Sequence, residues 1–364
     1  MGILRLILAV NVLLLHVDAP TLLRFLHTAE AVQTFFILSG FYMALTLAEN
    51  YQHGEIRHFY LNRFLRIFPV YWLILAASFT IAGLGYYFLN RPGFLFYWMQ
   101  TKPAGAVLPF VLAVFSSLAI LGQGTAMLLR VDAAGGLKIA SRNPWHSPDS
   151  FVGYFPMPQA WSLEFELLFY LLAPFMVRFR TRTILGICLL SLLLRIWLTI
   201  SLGLIERPWA LEVFPTELLF FGSGILSYRL YVYGRDNKWF ERRQLSDTVS
   251  VSLLVATLAY GAFGLLTKGA YLSVYKWTYL LFTTIAVPFL FTTTRKSKVD
   301  RFMGELSYPL YLVHVLIIGL WPKAEALNPW IRLPGIIVTS LVVSYLLLKV
   351  TAQIENLRSR HRHQ

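Results

Sequence analysis

Apolar residues run through this chain in long stretches, interrupted by short polar connections that are mostly basic. Runs of spanning or near-spanning length lie at 3–17, 32–49, 65–89, 107–129, 161–177, 183–204, 213–233, 249–267, 271–293, 306–321 and 331–352. A helix rises about 1.5 Å per residue, so about 20 apolar residues cross the roughly 30 Å of hydrocarbon in a bilayer. The eleven runs predict an all-α fold, a polytopic transmembrane helix bundle.

The basic residues between the runs set the expected topology. They cluster at Arg57, Arg63 and Arg66; at Arg178, Arg180 and Arg182; at Arg229, Arg235, Lys238, Arg242 and Arg243; at Arg295, Lys296, Lys298 and Arg301; and at Arg358, Arg360 and Arg362. Cytoplasmic loops carry the excess of Lys and Arg, so all five clusters are expected inside. From Arg178 onward two passes separate each cluster from the next. Between Arg66 and Arg178 stand three runs, so one of them is expected to be re-entrant or to stop short. That leaves about ten spans, with both termini inside.

Composition agrees with the pattern. Of 364 residues, 57% are hydrophobic and 14% charged, which excludes a soluble domain. The net charge of +14 would suit nucleic acid, but the basic residues sit in loop clusters, so the charge reads as topology and no nucleic-acid partner is expected. The single cysteine, Cys188, lies in an apolar run, which rules out a disulfide framework or thiolate metal site and suggests a small core residue. No metal is expected. The first run lacks a small-x-small cleavage site, since His16, Asp18 and Pro20 stand where one would fall, so it is expected to be retained.

Chemistry concentrates where polar residues interrupt the runs. Arg5 and His16 are eleven residues apart. At about 100° per residue eleven steps come within about 20° of three full circles, so both side chains point to one helix face, about 16 Å apart along it. Ionisable groups at membrane depth are costly and mark reactive centres or substrate pathways. The alternative is that Arg5 flanks the span on the cytoplasmic side and His16 caps it at the interface.

The second run carries Ser39 and Gly40, small residues that allow close helix approach. The third opens with Arg63 and Arg66, three apart on one helical face, with Arg57 just before. Arginine forks suit phosphate, although arginines opening a span are also ordinary topology markers. The fifth holds Glu164 and Glu166, about 200° apart on a helix, so only one can face a given cavity. His314 lies in the tenth run, where a lone histidine reads first as a hydrogen-bonded packing residue.

Residues 130–160 form the one extended loop, rich in Gly, Pro and aromatics, and read either as a lid or acceptor-binding loop or as an irregular connection packed on the bundle. The domain expected is one membrane unit over 1–355, followed by a short, disordered basic cytoplasmic tail at 356–364.

Taken in order, these residues resemble acyltransferase family 3, bacterial integral membrane O-acyltransferases. The resemblance rests on Arg5 with ten residues before His16, on Phe35-Phe-Ile-Leu-Ser-Gly-Phe41, and on Arg63-Phe-Leu-Arg66-Ile-Phe-Pro-Val-Tyr71. It extends to Trp161-Ser-Leu-Glu-Phe-Glu166 and Leu306-Ser-Tyr-Pro-Leu-Tyr-Leu-Val-His314.

The resemblance implies a multi-pass protein of the bacterial cytoplasmic membrane, among its lipids. It would move an acyl group, usually acetyl, from acetyl-CoA as co-substrate to a hydroxyl of a cell-surface or exported polysaccharide, or of its lipid-linked oligosaccharide precursor, in a glycan-assembly complex. It implies His16 as general base, Arg5 as stabiliser of charge on the thioester oxygen or binder of the donor, and Glu166 as orienter of His16. Arg63 and Arg66, with Arg57, would hold the CoA phosphates. Two departures stand out: Leu167 takes the place of a second carboxylate after Glu166, and the soluble esterase-like domain of some relatives is expected to be missing. Buried charges and broken spans also serve transporters and flippases, and a non-catalytic scaffold is a third class.

Overall fold

The computed structural model describes residues 1–51, 55–90, 93–101, 107–132, 134–140, 149–201, 211–266, 272–322 and 328–360. Its helices are α1 Gly2–His16, α2 Thr28–Asn50, α3 Ile56–Leu89, α4 Leu95–Thr101, α5 Val107–Ala119, α6 Gln123–Ala126 and α7 Trp161–Met176. They continue with α8 Thr181–Ser201, α9 Phe214–Asp236, α10 Arg243–Leu266, α11 Leu272–Thr294, α12 Lys298–Leu320 and α13 Pro329–Arg360. Strands β1 Leu129–Val131 and β2 Leu137–Ile139 pair antiparallel. Each apolar run yields a helix, because a helix satisfies its backbone polar groups internally where lipid offers no partners.

Seven of the described helices are long and apolar enough to cross a membrane, against the ten or so spans expected from the runs; α1 and α5 are shorter apolar helices. The run at 107–129 is the one that breaks. Helix α5 has 13 residues, about 20 Å at the helical rise, and is followed by left-handed residues at Ile120 (φ 67°) and Gly122 (φ 90°). Gly122 adopts that conformation without a Cβ clash, whereas Ile120 is held in it by complete burial of its side chain.

The chain forms two compact units, one of Met1–Leu65, Leu172–Cys188 and Leu219–Gln364, the other of Arg66–Leu171 and Leu189–Leu218. In the first, α1 packs along α12 and against α2, α11 packs on α2 and α10, and α13 covers α12. Helices α2 and α9 meet at Gly40 and Gly224: a Cβ on Gly40 would lie 2.1 Å from the Phe221 carbonyl oxygen, and one on Gly224 2.2 Å from that of Ile37. Glycine at both points lets the two backbones touch, as expected of the Ser39-Gly40 pair. Cys188 is buried with its Sγ 3.7 Å from the Leu219 carbonyl, a packing residue as expected.

In the second unit the long connection is a packed element. Its β-hairpin and the turn at Phe151–Tyr154 enclose Val131, Phe151, Tyr154 and Phe155 with Ala113 of α5 and Ala126 of α6. Trp98 of α4 donates its indole N–H to the Tyr154 carbonyl at 2.8 Å. Of the two readings of this loop, the packed connection is the one that fits; Pro144, Trp145 and Pro148 lie outside the described residues. Helix α13 continues to Arg360, so residues 356–360 of the expected tail are helical, and 361–364 lie outside the described residues.

Candidate active site

Helix α1 is fixed at both ends. At its start, the Asp300 carboxylate accepts the Gly2 N–H at 2.8 Å and the Ile3 N–H at 2.9 Å, so a side chain of α12 caps α1. Gly2 has no room for a side chain, since a Cβ there would lie 1.6 Å from the Asp300 carbonyl oxygen. Further along, the carboxamide of buried Asn11 donates to the Leu26 carbonyl and accepts the Leu26 N–H, both at 3.0 Å. At the far end, the His16 ring meets the His314 ring, with centroids 4.9 Å apart and planes at 62°. Contacts of Gly2 with Asp300 and of His16 with His314 make α1 and α12 parallel neighbours.

Because α1 is unbroken from Gly2 to His16, Arg5 and His16 share a face as their spacing predicts. The Arg5 guanidinium carbon lies 5.9 Å from the centre of the Tyr42 ring of α2. His16 is exposed, and its Nδ1 is 2.8 Å from the Val12 carbonyl oxygen. A carbonyl only accepts, so Nδ1 carries the hydrogen and the neutral ring keeps its lone pair on Nε2. That is the tautomer a general base needs.

His314 has the same arrangement in a drier place. It is completely buried, its Nδ1 lies 2.6 Å from the Tyr311 carbonyl oxygen, and its Nε2 has no hydrogen-bond partner among the described residues. An acceptor left bare in an interior costs about 1–3 kcal/mol. The packing role expected for this residue therefore accounts for one ring nitrogen and leaves the other unexplained. Gln33 of α2 is also wholly buried, with both carboxamide atoms lacking partners among the described residues. Sequence reasoning assigned it no role.

On α3, Arg63 is buried at 4% exposure with its guanidinium carbon 5.6 Å from the Phe59 ring centre, Arg66 is half-buried and Arg57 exposed. Along this one helix Arg63 and Arg66 lie within about 60° of each other, whereas Arg57 is about 180° from Arg66. The three do not form a single fork. Near the start of α3, a cavity of about 360 Å³ is lined by Leu47, Ala48, Tyr51, Ile56, Val177 and Arg178, among others. The Tyr51 hydroxyl accepts from Asn62 Nδ2 at 2.6 Å, which ties that wall to the residue next to Arg63.

On α7 the two carboxylates have different tasks. Glu164 is buried and accepts the Gly124 N–H, with the Gly122 and Thr125 N–H groups also bonded to it, so it caps the turn that follows the break in the fourth run. Glu166 is half-buried and accepts the Tyr170 hydroxyl one turn further on. Arg5, His16, Arg57 and Arg63 belong to the first unit, Arg66 and Glu166 to the second. The second unit also holds an ion pair that sequence reasoning missed, between Arg195 and the fully buried Glu217, with the Thr216 hydroxyl 3.3 Å from the same guanidinium.

A family model described as an acyltransferase domain matches residues 1–349, nearly the whole chain. The chain belongs to acyltransferase family 3. No curated protein and no solved structure matches it. This family-3 protein is thus a multi-pass membrane acyltransferase, and the residues through which the resemblance was read all fall within the matched span. Among the described residues no cluster of three or more His, Cys, Asp or Glu side chains could hold a metal ion.

Proposed function

We propose that this acyltransferase moves an acyl group, acetyl in the first instance, from a cytoplasmic acyl-CoA to a hydroxyl of a cell-surface or exported polysaccharide or its lipid-linked precursor, in the cytoplasmic membrane of a bacterium. The observation that carries the reading is the state of His16: its Nδ1–H is tied to the Val12 carbonyl, and its basic Nε2 belongs to an exposed ring. A neutral imidazole with its lone pair on Nε2 is suited to take the hydroxyl proton as the oxygen attacks the thioester carbonyl. Arg5, on the same helix face but about 16 Å along it from His16, is too far to reach the thioester oxygen there and holds the donor.

Arg63 and Arg66 share a side of α3 and bind the CoA phosphates, and Arg57 contributes only long-range attraction because it lies on the opposite side. The neighbouring cavity, with its apolar wall and Arg178, supports entry of an anionic donor at this end of the helix. Of the two carboxylates on α7, Glu166, which accepts the Tyr170 hydroxyl, is the one we assign to catalysis. Glu164, engaged with backbone N–H groups, is the weaker candidate for that task.

The test is incubation of the purified protein with labelled acetyl-CoA and a glycan acceptor. Label in the glycan together with released CoA supports the transferase. A transporter or flippase releases no CoA, and that outcome would overturn the proposal.

A further inference from the structure

Two imidazoles from different helices meet at the far end of α1, and both are held in the same tautomer. His16 Nδ1 faces the Val12 carbonyl and His314 Nδ1 the Tyr311 carbonyl, so each ring carries its hydrogen on Nδ1 and a lone pair on Nε2. With the rings 4.9 Å apart and His314 Nε2 buried without a partner, the neutral pair has an acceptor and no donor to serve it. One added proton supplies the donor. A second would place two imidazolium charges in contact, one of them on the completely buried His314.

We propose that His314 is a positioning residue acting through His16: its Nε2 accepts the hydrogen bond that His16 Nε2–H donates once His16 has taken up a proton, so the pair holds one proton between two imidazoles. The role in turnover rests on the acyl-transfer reading above. The acceptor hydroxyl's proton passes to His16 Nε2 as the new ester C–O bond forms and the thioester C–S bond breaks. The same proton then goes to the departing CoA sulfur, leaving ester, CoA thiol and a neutral pair. Throughout, His314 forms no covalent bond and keeps its own Nδ1–H on Tyr311. Its contribution is to stabilise the charged form of His16 and hold its ring in line.

Other titratable and charged groups on the elements at this end of α1 are Tyr311 on α12, Glu30 at the start of α2 with His27 beside it, and Asp18 and Arg24 in the intervening segment, whereas Arg5 and Tyr42 lie toward the other end. All are left unchanged in the test. The full-length protein in detergent is treated with diethyl pyrocarbonate across a pH series, and modification of His16 is quantified by mass spectrometry. Wild type is compared with His314→Phe, which keeps a ring but no acceptor, with His314→Leu as a second apolar variant, and with His314→Gln, which restores an acceptor oxygen.

We expect the midpoint of His16 modification to fall by about one pH unit in the apolar variants and to stay at the wild-type value in His314→Gln. For turnover, kcat falls at least about tenfold in His314→Phe with KM for acetyl-CoA unchanged, and His314→Gln recovers it. A midpoint identical in wild type and His314→Phe, or a Gln variant behaving as the Phe variant does, overturns the proposal. A purely structural role would lower thermal stability in both without separating them. The labelling reports on the pair whatever reaction the protein performs. A shifted midpoint in a protein that transfers no acetyl overturns the transferase reading alone, and normal transfer with no shift overturns the pair alone.

Discussion

His16 and His314 are 298 residues apart in sequence and in ring contact in the fold, with centroids 4.9 Å apart. The contact exists because α1 and α12 run parallel from a common anchor, the backbone of Gly2 against Asp300 and Gly304. The position of the proposed base is therefore set at the opposite end of its own helix.

That anchor yields a first prediction. Asp300→Ala removes the cap from the Gly2 and Ile3 N–H groups and should cost about 0.5–2 kcal/mol, seen as a lower thermal midpoint in detergent. Gly2→Ala should do more harm to turnover, because its Cβ would fall 1.6 Å from the Asp300 carbonyl oxygen and force α1 away from α12. Wild-type turnover in Gly2→Ala would contradict the anchoring.

The arginines of α3 should separate by face. Arg63→Ala and Arg66→Ala should each raise KM for acetyl-CoA about tenfold or more, the worth of a charge-assisted hydrogen bond. Arg57→Ala should change it by no more than about twofold at physiological salt, since exposed long-range attraction is screened. Titration with acetyl-CoA checks both, and unchanged affinity in the Arg63 and Arg66 variants would remove them from the donor site.

The two glutamates of α7 should fail differently. Glu164→Ala strips the acceptor from the turn at Gly124 and should destabilise the protein by about 1–3 kcal/mol. Glu166→Gln should keep the thermal midpoint and lower kcat about tenfold or more, as expected of a carboxylate that acts in turnover and not in folding. Thermal unfolding and single-turnover measurements distinguish the pair.

The hairpin gives a pH prediction. Asp132 accepts the Gly136 N–H at 2.7 Å and pairs with Lys138 at 3.0 Å, and these, the Gly136 bond foremost, hold its carboxyl below the ordinary carboxylate range. A depressed pKa in the folded state contributes stability above the unfolded value that is lost as pH falls through the folded one. Hydrogen exchange at 134–140 should stay slow at neutral pH and accelerate only once pH drops below the usual aspartate range. In Asp132→Asn it should be faster at neutral pH and insensitive to acid.

What could be read from the sequence was what is local to one helix. The shared face of Arg5 and His16 and the opposition of Glu164 and Glu166 follow from spacing, because helical periodicity turns residue number into angle. The same arithmetic would have set Arg57 apart from Arg66, but those residues were grouped by charge. His314 looked like a solitary packing residue because its partner is on another helix. That Glu164 is a cap depends on backbone N–H groups 40 residues earlier. The break at Ile120 is marked in the sequence by Gly122-Gln123-Gly124-Thr125, but apolar residues resume at Ala126, so the stretch reads as one run. The hairpin was half legible in its turn formers, while its aromatic core arises from tertiary packing.

The most direct test of the account is acetyl transfer from labelled acetyl-CoA by the His16→Ala variant, purified alongside wild type and matched to it in thermal midpoint. The account predicts a folded, membrane-inserted protein with no detectable transfer. Turnover near the wild-type rate would remove His16 from the mechanism and, with it, the roles given to Arg5, Glu166 and His314.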